Sequence, residues 1–263
     1  MPDTKVRQTV LITGAARRIG KAIALDLASA GWSVAIHYRR SRDEALALVG
    51  EIERNGGRAA AIHGDLSNQA DVESLVPRVA EVLGAPTCLI NNASEFLLDT
   101  ISNVAEATWD THQAINLKAP VFLARALFLN LPEGATGNVI NIIDQRVWKL
   151  TPEFFSYTIS KAGLWTATRT LAQALAPRVR VNAIGPGPVL RSVFQTDADF
   201  AAEVQSTLLK RGPTPEEIAA AVRFILEAGA MTGQMIALDG GQHLTWSRAE
   251  PEATQALRSK SRK

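Results

Sequence analysis

The sequence predicts an α/β protein, a single doubly wound domain around a parallel sheet of about seven strands. Three observations lead there. Short β-branched runs alternate with segments whose apolar residues recur at helical spacing. Several runs are apolar on successive residues, as strands covered on both faces are. The first run passes into the first helix through a glycine-containing turn. Such alternation calls for right-handed crossovers, and no repeat or low-complexity linker interrupts it. The domain is expected over residues 1–246, with a basic, disordered tail at 247–263.

Residues 9–13 read as the first strand. Ile19, Ala22, Ile23, Leu27 and Ala30 then follow helical spacing, and Gly31 suits the helix stop. A second strand is expected at 33–37 and a helix at 43–55, then a third strand at 59–63 and a helix at 72–83. The fourth strand, 87–91, leads to a long helix at 107–131, the fifth strand at 138–143 and another long helix at 154–176. Strands at 179–184 and 234–238 enclose a helix at 215–227. Segment 192–211 reads as a lid over the substrate, with Asp197, Asp199 and Glu203 on a solvated face.

The bulk numbers exclude little but are informative where they are skewed. At 263 residues, with 46% hydrophobic and 21% charged, the chain can bury a sizeable core. Its formal charge of +2 is misleading, since the tail holds five basic residues against two acidic ones. The body therefore has no bias toward nucleic acid or a membrane surface. One cysteine, Cys88, excludes an intrachain disulfide, and a reducing cytoplasm is the expected compartment. The polar start is expected to be no signal peptide, and no apolar run is long enough for a bilayer.

The turn Thr13-Gly14-Ala15-Ala16-Arg17-Arg18-Ile19-Gly20 joins a strand to a helix. There the backbone can approach a pyrophosphate, and the helix start offers unpaired N–H groups to the anion. Farther on come Asn91-Asn92-Ala93, the pair Tyr157 and Lys161, Pro186-Gly187, and the ending at 232–241. This ordered set resembles the short-chain dehydrogenase/reductases from residue 10 to about 241, and so implies a Rossmann fold. Arg18 departs from that pattern, standing where the middle glycine usually is. Its guanidinium is expected to reach over the pyrophosphate or the substrate.

The second strand ends in His37-Tyr38-Arg39-Arg40-Ser41, with no carboxylate before Asp43. Two guanidiniums and a hydroxyl suit a 2′-phosphate, so NADPH is the expected cofactor, with a solvated basic turn as the alternative. By resemblance, Asp65 and Leu66 contact adenine, and Asn91 and Ala93 line the adenosine side. Pro186, Gly187 and Val189 belong to the cofactor set on the same basis.

Tyr157 and Lys161 share one helix face, and the ammonium is expected to lower the phenol's pKa so that it can deliver a proton. Asn116 precedes Pro120 by four, which removes the helical partner of its carbonyl. By resemblance that backbone holds a water connecting the lysine to solvent; a plain kink is the alternative. Asp144 stands where family members acting on ketones usually have serine. An ionised carboxylate there would repel a carbonyl oxygen. A carboxyl kept protonated by desolvation could instead bond or protonate a ring nitrogen. The pteridine reductases combine this Asp with Arg at position 18, a His-Tyr-x-Arg-Ser run like 37–41, and Asn-Asn-Ala-Ser-x-Phe like 91–96. That resemblance implies Phe96 stacking on a pterin and Ser94 bonding pterin or cofactor phosphate, a core packing role being the alternative for Phe96.

The expected function is NADPH-dependent reduction of a C=N bond in a pterin or dihydrofolate-like small molecule. A carbonyl reductase with a structural Asp144, or a non-catalytic dinucleotide sensor, are the alternatives. No metal is called for. The resemblance also implies a homotetramer through the two long middle helices and the last strand.

Overall fold

A computed structural model describes residues 8–246. The expected tail at 247–263 lies outside the described residues. Seven parallel strands form one sheet in the order β3-β2-β1-β4-β5-β6-β7. They are β1 (Thr9–Ile12), β2 (Ser33–Tyr38), β3 (Arg58–His63), β4 (Cys88–Asn91), β5 (Gly137–Ile142), β6 (Val179–Pro186) and β7 (Met235–Leu238). The helices are α1 (Arg18–Ser29), α2 (Arg42–Arg54), α3 (Gln69–Leu83), α4 (Glu106–His112), α5 (Ala119–Asn130), α6 (Phe155–Leu175), α7 (Asp197–Ser206) and α8 (Pro215–Glu227).

The period-two alternation of the strands divides the core. Val10 and Ile12 of β1 join Ile23 and Leu27 of α1, Leu48 of α2 and Val222 of α8 on one face. Leu11 points the other way, into Leu75 of α3, Leu123 of α5 and Leu175 of α6. Helices thus cover both faces, which is why the strands carry no polar alternation. The order reverses between β1 and β4. Beyond the carboxyl ends of those strands a crevice opens, the usual ligand position in such sheets.

Element boundaries differ from expectation where side chains decide them. Helix α3 begins at Gln69, earlier than the apolar spacing indicates, because Asn68 accepts bonds from the N–H groups of Ala70 and Asp71. The long helix expected at 107–131 is broken in register. Between α4 and α5 lies a π-turn, Gln113–Lys118, just before Pro120. Within the expected lid, α7 is held by a capping box between Thr196 and Asp199. Asp197 and Asp199 are exposed, as a solvated face requires, although Asp197 also pairs with Arg191 at 2.9 Å, while Glu203 is half-buried and accepts from Gln195 and Gln242.

Candidate active site

The crevice holds a cavity of about 490 Å³, walled by the loop after β1, the end of β2 and the loop after β4. Glycine is required twice. A Cβ on Gly14 would meet Ala93 Cα at 3.0 Å, and Gly14 has φ of +62°. A Cβ on Gly20 would lie 2.6 Å from the Gly14 carbonyl oxygen. The turn therefore presents bare backbone to its ligand at the start of α1.

Arg18 adopts φ of +56° at the place of the usual glycine, a left-handed conformation uncommon for a residue with a side chain. Its guanidinium does reach across the cleft, but its partners are backbone. Nη1 donates to the Arg191 carbonyl and Nη2 to the Leu190 carbonyl, both at 3.0 Å. Arg18 thus holds the backbone that leads into segment 192–211.

Ile19 lines the cavity beside Gly14 and Gly20, while Tyr38, Arg39, Arg40 and Ser41 line its far end. Arg39 also bridges to Glu95 at 2.5 Å across the opening. His37 borders the cavity but is buried, and its role differs from phosphate binding. Its Nδ1 accepts the Gly14 N–H at 3.1 Å, so Nε2 carries the proton toward the Gly64 carbonyl. Burial brings its pKa down to about 4, leaving a neutral clamp on the glycine turn.

Leu66, Ala93 and Ser94 lie in the wall. Asp65 and Asn91 do not. The Asp65 carboxylate accepts from the Ser67 N–H and hydroxyl, and the Asn91 amide is buried against Asn141 Oδ1 at 2.8 Å. The neighbour Asn92 lines the cavity instead, donating to the carbonyls of Thr13 and Gly14. Pro186, Gly187 and Val189 sit at and beyond the end of β6, outside this cavity's walls. Gly187 is needed there for packing, since a Cβ would overlap Asp239 at 2.7 Å.

The chemistry-bearing groups come together beside it. Tyr157, near the start of α6, donates its hydroxyl to Asp144 Oδ2 at 3.0 Å, and the Arg146 N–H donates to Oδ1 at 2.7 Å. Lys161, one turn on and buried, donates to the Ile142 carbonyl at 2.9 Å. Burial pushes the Asp144 carboxyl up from its ordinary value and the Lys161 ammonium down to about 8. The expectation that Lys161 lowers the phenol's pKa fails here. Burial and the adjacent Asp144 raise Tyr157 well above its ordinary value, because the carboxyl touches the hydroxyl while the ammonium stands 5.7 Å from the ring centre.

Phe96 stacks on Phe154 with centroids 4.2 Å apart and meets Tyr157 edge-on at 4.7 Å. The sequence reading did not single out Phe154; its φ of +54° is the local signal, and it is visible only in three dimensions. Asn116 is fully buried in the π-turn. Its amide donates to the Glu95 carbonyl and Ser160 Oγ, and its carbonyl oxygen accepts from Ser94 and the Glu95 N–H. Pro120 cannot supply the N–H that an α-helix would offer the Asn116 carbonyl, and the ladder widens at that point.

A family model described as "Enoyl-(Acyl carrier protein) reductase", of the short-chain alcohol-dehydrogenase type, matches residues 14–243. The chain belongs to the short-chain dehydrogenase/reductase family. Among solved members, FolM alternative dihydrofolate reductase 1 from Brucella suis, in complex with NADP, is 52% identical, with a TM-score of 0.90. The alignment covers 93% of this chain and 98% of that one. A blue fluorescent protein from a metagenomic library, in complex with NADPH, is 30% identical with a TM-score of 0.83, covering 89% and 97%. Among curated relatives, the 3-oxoacyl-[acyl-carrier-protein] reductase of Synechocystis is 32% identical, covering 89% of this chain and 96% of the relative. The family's Tyr/Lys pair is intact here, which sets aside the sensor reading's expectation of a broken one. The chain is an oxidoreductase of this family. Among the described residues no helix is long and apolar enough to cross a membrane.

Proposed function

We propose that this enzyme uses NADPH to reduce a C=N bond in a pterin or dihydrofolate-like substrate. One observation carries the reading: a half-buried carboxyl, Asp144, receives the Tyr157 hydroxyl at 3.0 Å in the seat where ketone-reducing relatives carry serine. The FolM complexes with NADP, at 52% and 51% identity, support it independently. For the cofactor, the glycine turn, Asn92 and the Arg39–Ser41 end line one continuous cavity, and Gly14 and Gly20 let the turn pack closely enough on Ala93 and on itself to shape that wall.

When bound, the nicotinamide supplies the hydride. The chain's part is to manage one proton. Desolvation favours the neutral form of Asp144, and a neutral carboxyl donates to a ring nitrogen where an ionised one would repel a carbonyl oxygen. Tyr157, its own pKa raised, keeps its proton and orients the carboxyl through the shared bond. Lys161, its pKa lowered to about 8, still supplies positive charge beneath them at neutral pH. Ser94 and Phe96 border the substrate's place. A homotetramer and a cytoplasmic setting belong to the same reading.

The competing reading, a 3-oxoacyl thioester reductase, is favoured by curated relatives at 30–32% identity. Purified protein with NADPH and dihydrobiopterin, dihydrofolate or an acetoacetyl thioester separates the two. Turnover of either C=N substrate is expected. Oxidation of NADPH with the thioester alone would defeat the proposal.

A further inference from the structure

The loop carrying Ser94 and Phe96 is tied to the helix of Tyr157 by two rungs. His112 and Asn116 stand four residues apart at the junction of α4 and the π-turn, and each bonds a serine of α6, Ser156 and Ser160. The Asn116 rung belongs to the site described above. The His112 rung has no part in it so far.

Its polarity can be traced bond by bond. The Leu97 N–H donates to His112 Nε2 at 3.1 Å. That nitrogen must be the acceptor, so the ring proton sits on Nδ1 and is donated to Ser156 Oγ at 2.6 Å. The Ser156 hydroxyl then donates to Asp99 Oδ2, and the Ser156 N–H to Asp99 Oδ1 at 3.1 Å. The Asp99 carbonyl accepts the Phe155 N–H at 3.2 Å, closing the loop onto the first turn of α6. His112 and Ser156 are fully buried, and Asp99 is 2% exposed.

The ends of this chain of bonds are telling. Leu97 is next to Phe96, and Ser156 is next to Tyr157. The His112 ring stands 5.9 Å from the Tyr157 ring and edge-on to it. Three buried polar side chains have thus been placed between the aromatic wall of the pocket and its proton-handling residue, where apolar packing would have served stability as well.

We propose that His112, Ser156 and Asp99 are positioning residues of the reduction: they hold the Phe96 wall and the Tyr157 hydroxyl at a set separation across the substrate's place. The proposal rests on the reductase reading of the same site. Misplacement of reacting groups by about 1 Å costs on the order of a hundredfold in rate, so a loosened rung shows in kinetics and not in stability alone.

The test uses the full chain and whichever of the three substrates the wild type reduces best. For Ser156→Ala, NADPH is expected to bind within about twofold of wild type while kcat falls at least about tenfold. Ser156→Thr, which keeps the hydroxyl, is expected to restore kcat to within about threefold. His112→Asn keeps a donor toward Ser156 but leaves the Leu97 N–H unpaired, and is expected to raise KM about tenfold with a smaller fall in kcat. Wild-type kcat and KM in Ser156→Ala, with only a lower melting temperature, would reduce the rung to scaffolding. Should that variant fail to fold, an unchanged KM in His112→Asn overturns the proposal by itself. Failure of the reductase reading shows separately, as a wild type that binds NADPH and turns over none of the three substrates, and it would take this proposal with it.

Discussion

At one end of the crevice, Gly14 and Gly20 crowd the backbone of neighbouring turns, and a neutral His37 clamps the glycine turn from behind. At the other end, Asp144 follows β5, Tyr157 and Lys161 come from α6, Phe96 from the loop after β4, and Asn116 from a π-turn. The first region is made of main chain held by one strand–turn–helix unit. The second is made of side chains contributed by four separate segments. A site of the first kind recognises a ligand that every family member shares, because backbone N–H groups do not change with sequence. A site of the second kind can change its substrate with one residue, and Asp144 is the residue proposed for that role here.

The largest effect expected from breaking the substrate end comes from Tyr157→Phe. It removes the hydroxyl bonded to Asp144, and turnover should fall about 10²- to 10⁴-fold while NADPH titration is nearly unchanged. Retained turnover would show that Asp144 acts without it. The matching blow to the cofactor end is Gly20→Ala. Its Cβ would sit 2.6 Å from a carbonyl oxygen, and NADPH affinity, read by fluorescence titration, should fall on the order of a hundredfold.

Asp144→Ser sharpens the contrast, since it leaves the cofactor end untouched. C=N reduction should fall at least about tenfold, with carbonyl reduction gained or unchanged. In the wild type, C=N reduction should decline as pH rises through the carboxyl's raised pKa, because only the neutral form donates. In the Ser variant that limb should be missing. An unchanged substrate profile and pH profile would show the carboxyl to be irrelevant.

His37 gives a pH effect of the opposite kind, on stability. Its folded pKa of about 4 lies below the ordinary 6.5, so between those values the unfolded chain binds more protons. Its contribution is therefore complete above pH 6.5 and lost as pH falls toward 4, amounting to about 3 kcal/mol. In His37→Gln, denaturant titrations across this window should show a shallower pH slope. The smallest effect is expected from Arg18→Ala. Two exposed bonds to the Leu190 and Arg191 carbonyls are worth about 1 kcal/mol together, so the melting temperature should move only a few degrees. Trypsin should nonetheless cut after Arg191 sooner; an unchanged cleavage rate would mean that Arg18 does not hold this backbone.

The legibility of the two regions in the sequence follows the same division. Gly14, Ile19, Gly20 and the run from Tyr38 to Ser41 could be read because turn chemistry and strand ends are local, and all of them line the cavity. Asn91 and Asp65 were read by analogy as contacts, yet their side chains are spent on Asn141 and Ser67, while Asn92 takes the wall position. Nothing in a one-dimensional pattern distinguishes two adjacent asparagines, because which one faces the crevice depends on where β4 ends. Arg18 is expected over the pyrophosphate or the substrate; its guanidinium spans the cleft, but its partners are the carbonyls of Leu190 and Arg191, which no spacing rule locates.

By itself the sequence determined the alternation that forces a parallel sheet, the glycine turn, the Tyr157/Lys161 pair and the odd carboxyl near them. These are set by neighbours a few residues apart, through sterics and periodicity. Tertiary structure alone decided that Asp144 bonds the Tyr157 hydroxyl, that the phenol's pKa rises rather than falls, and that His112 reaches Ser156 forty-four residues away. Those outcomes depend on which polar groups lose water together, and desolvation is a property of packed elements, not of any one of them.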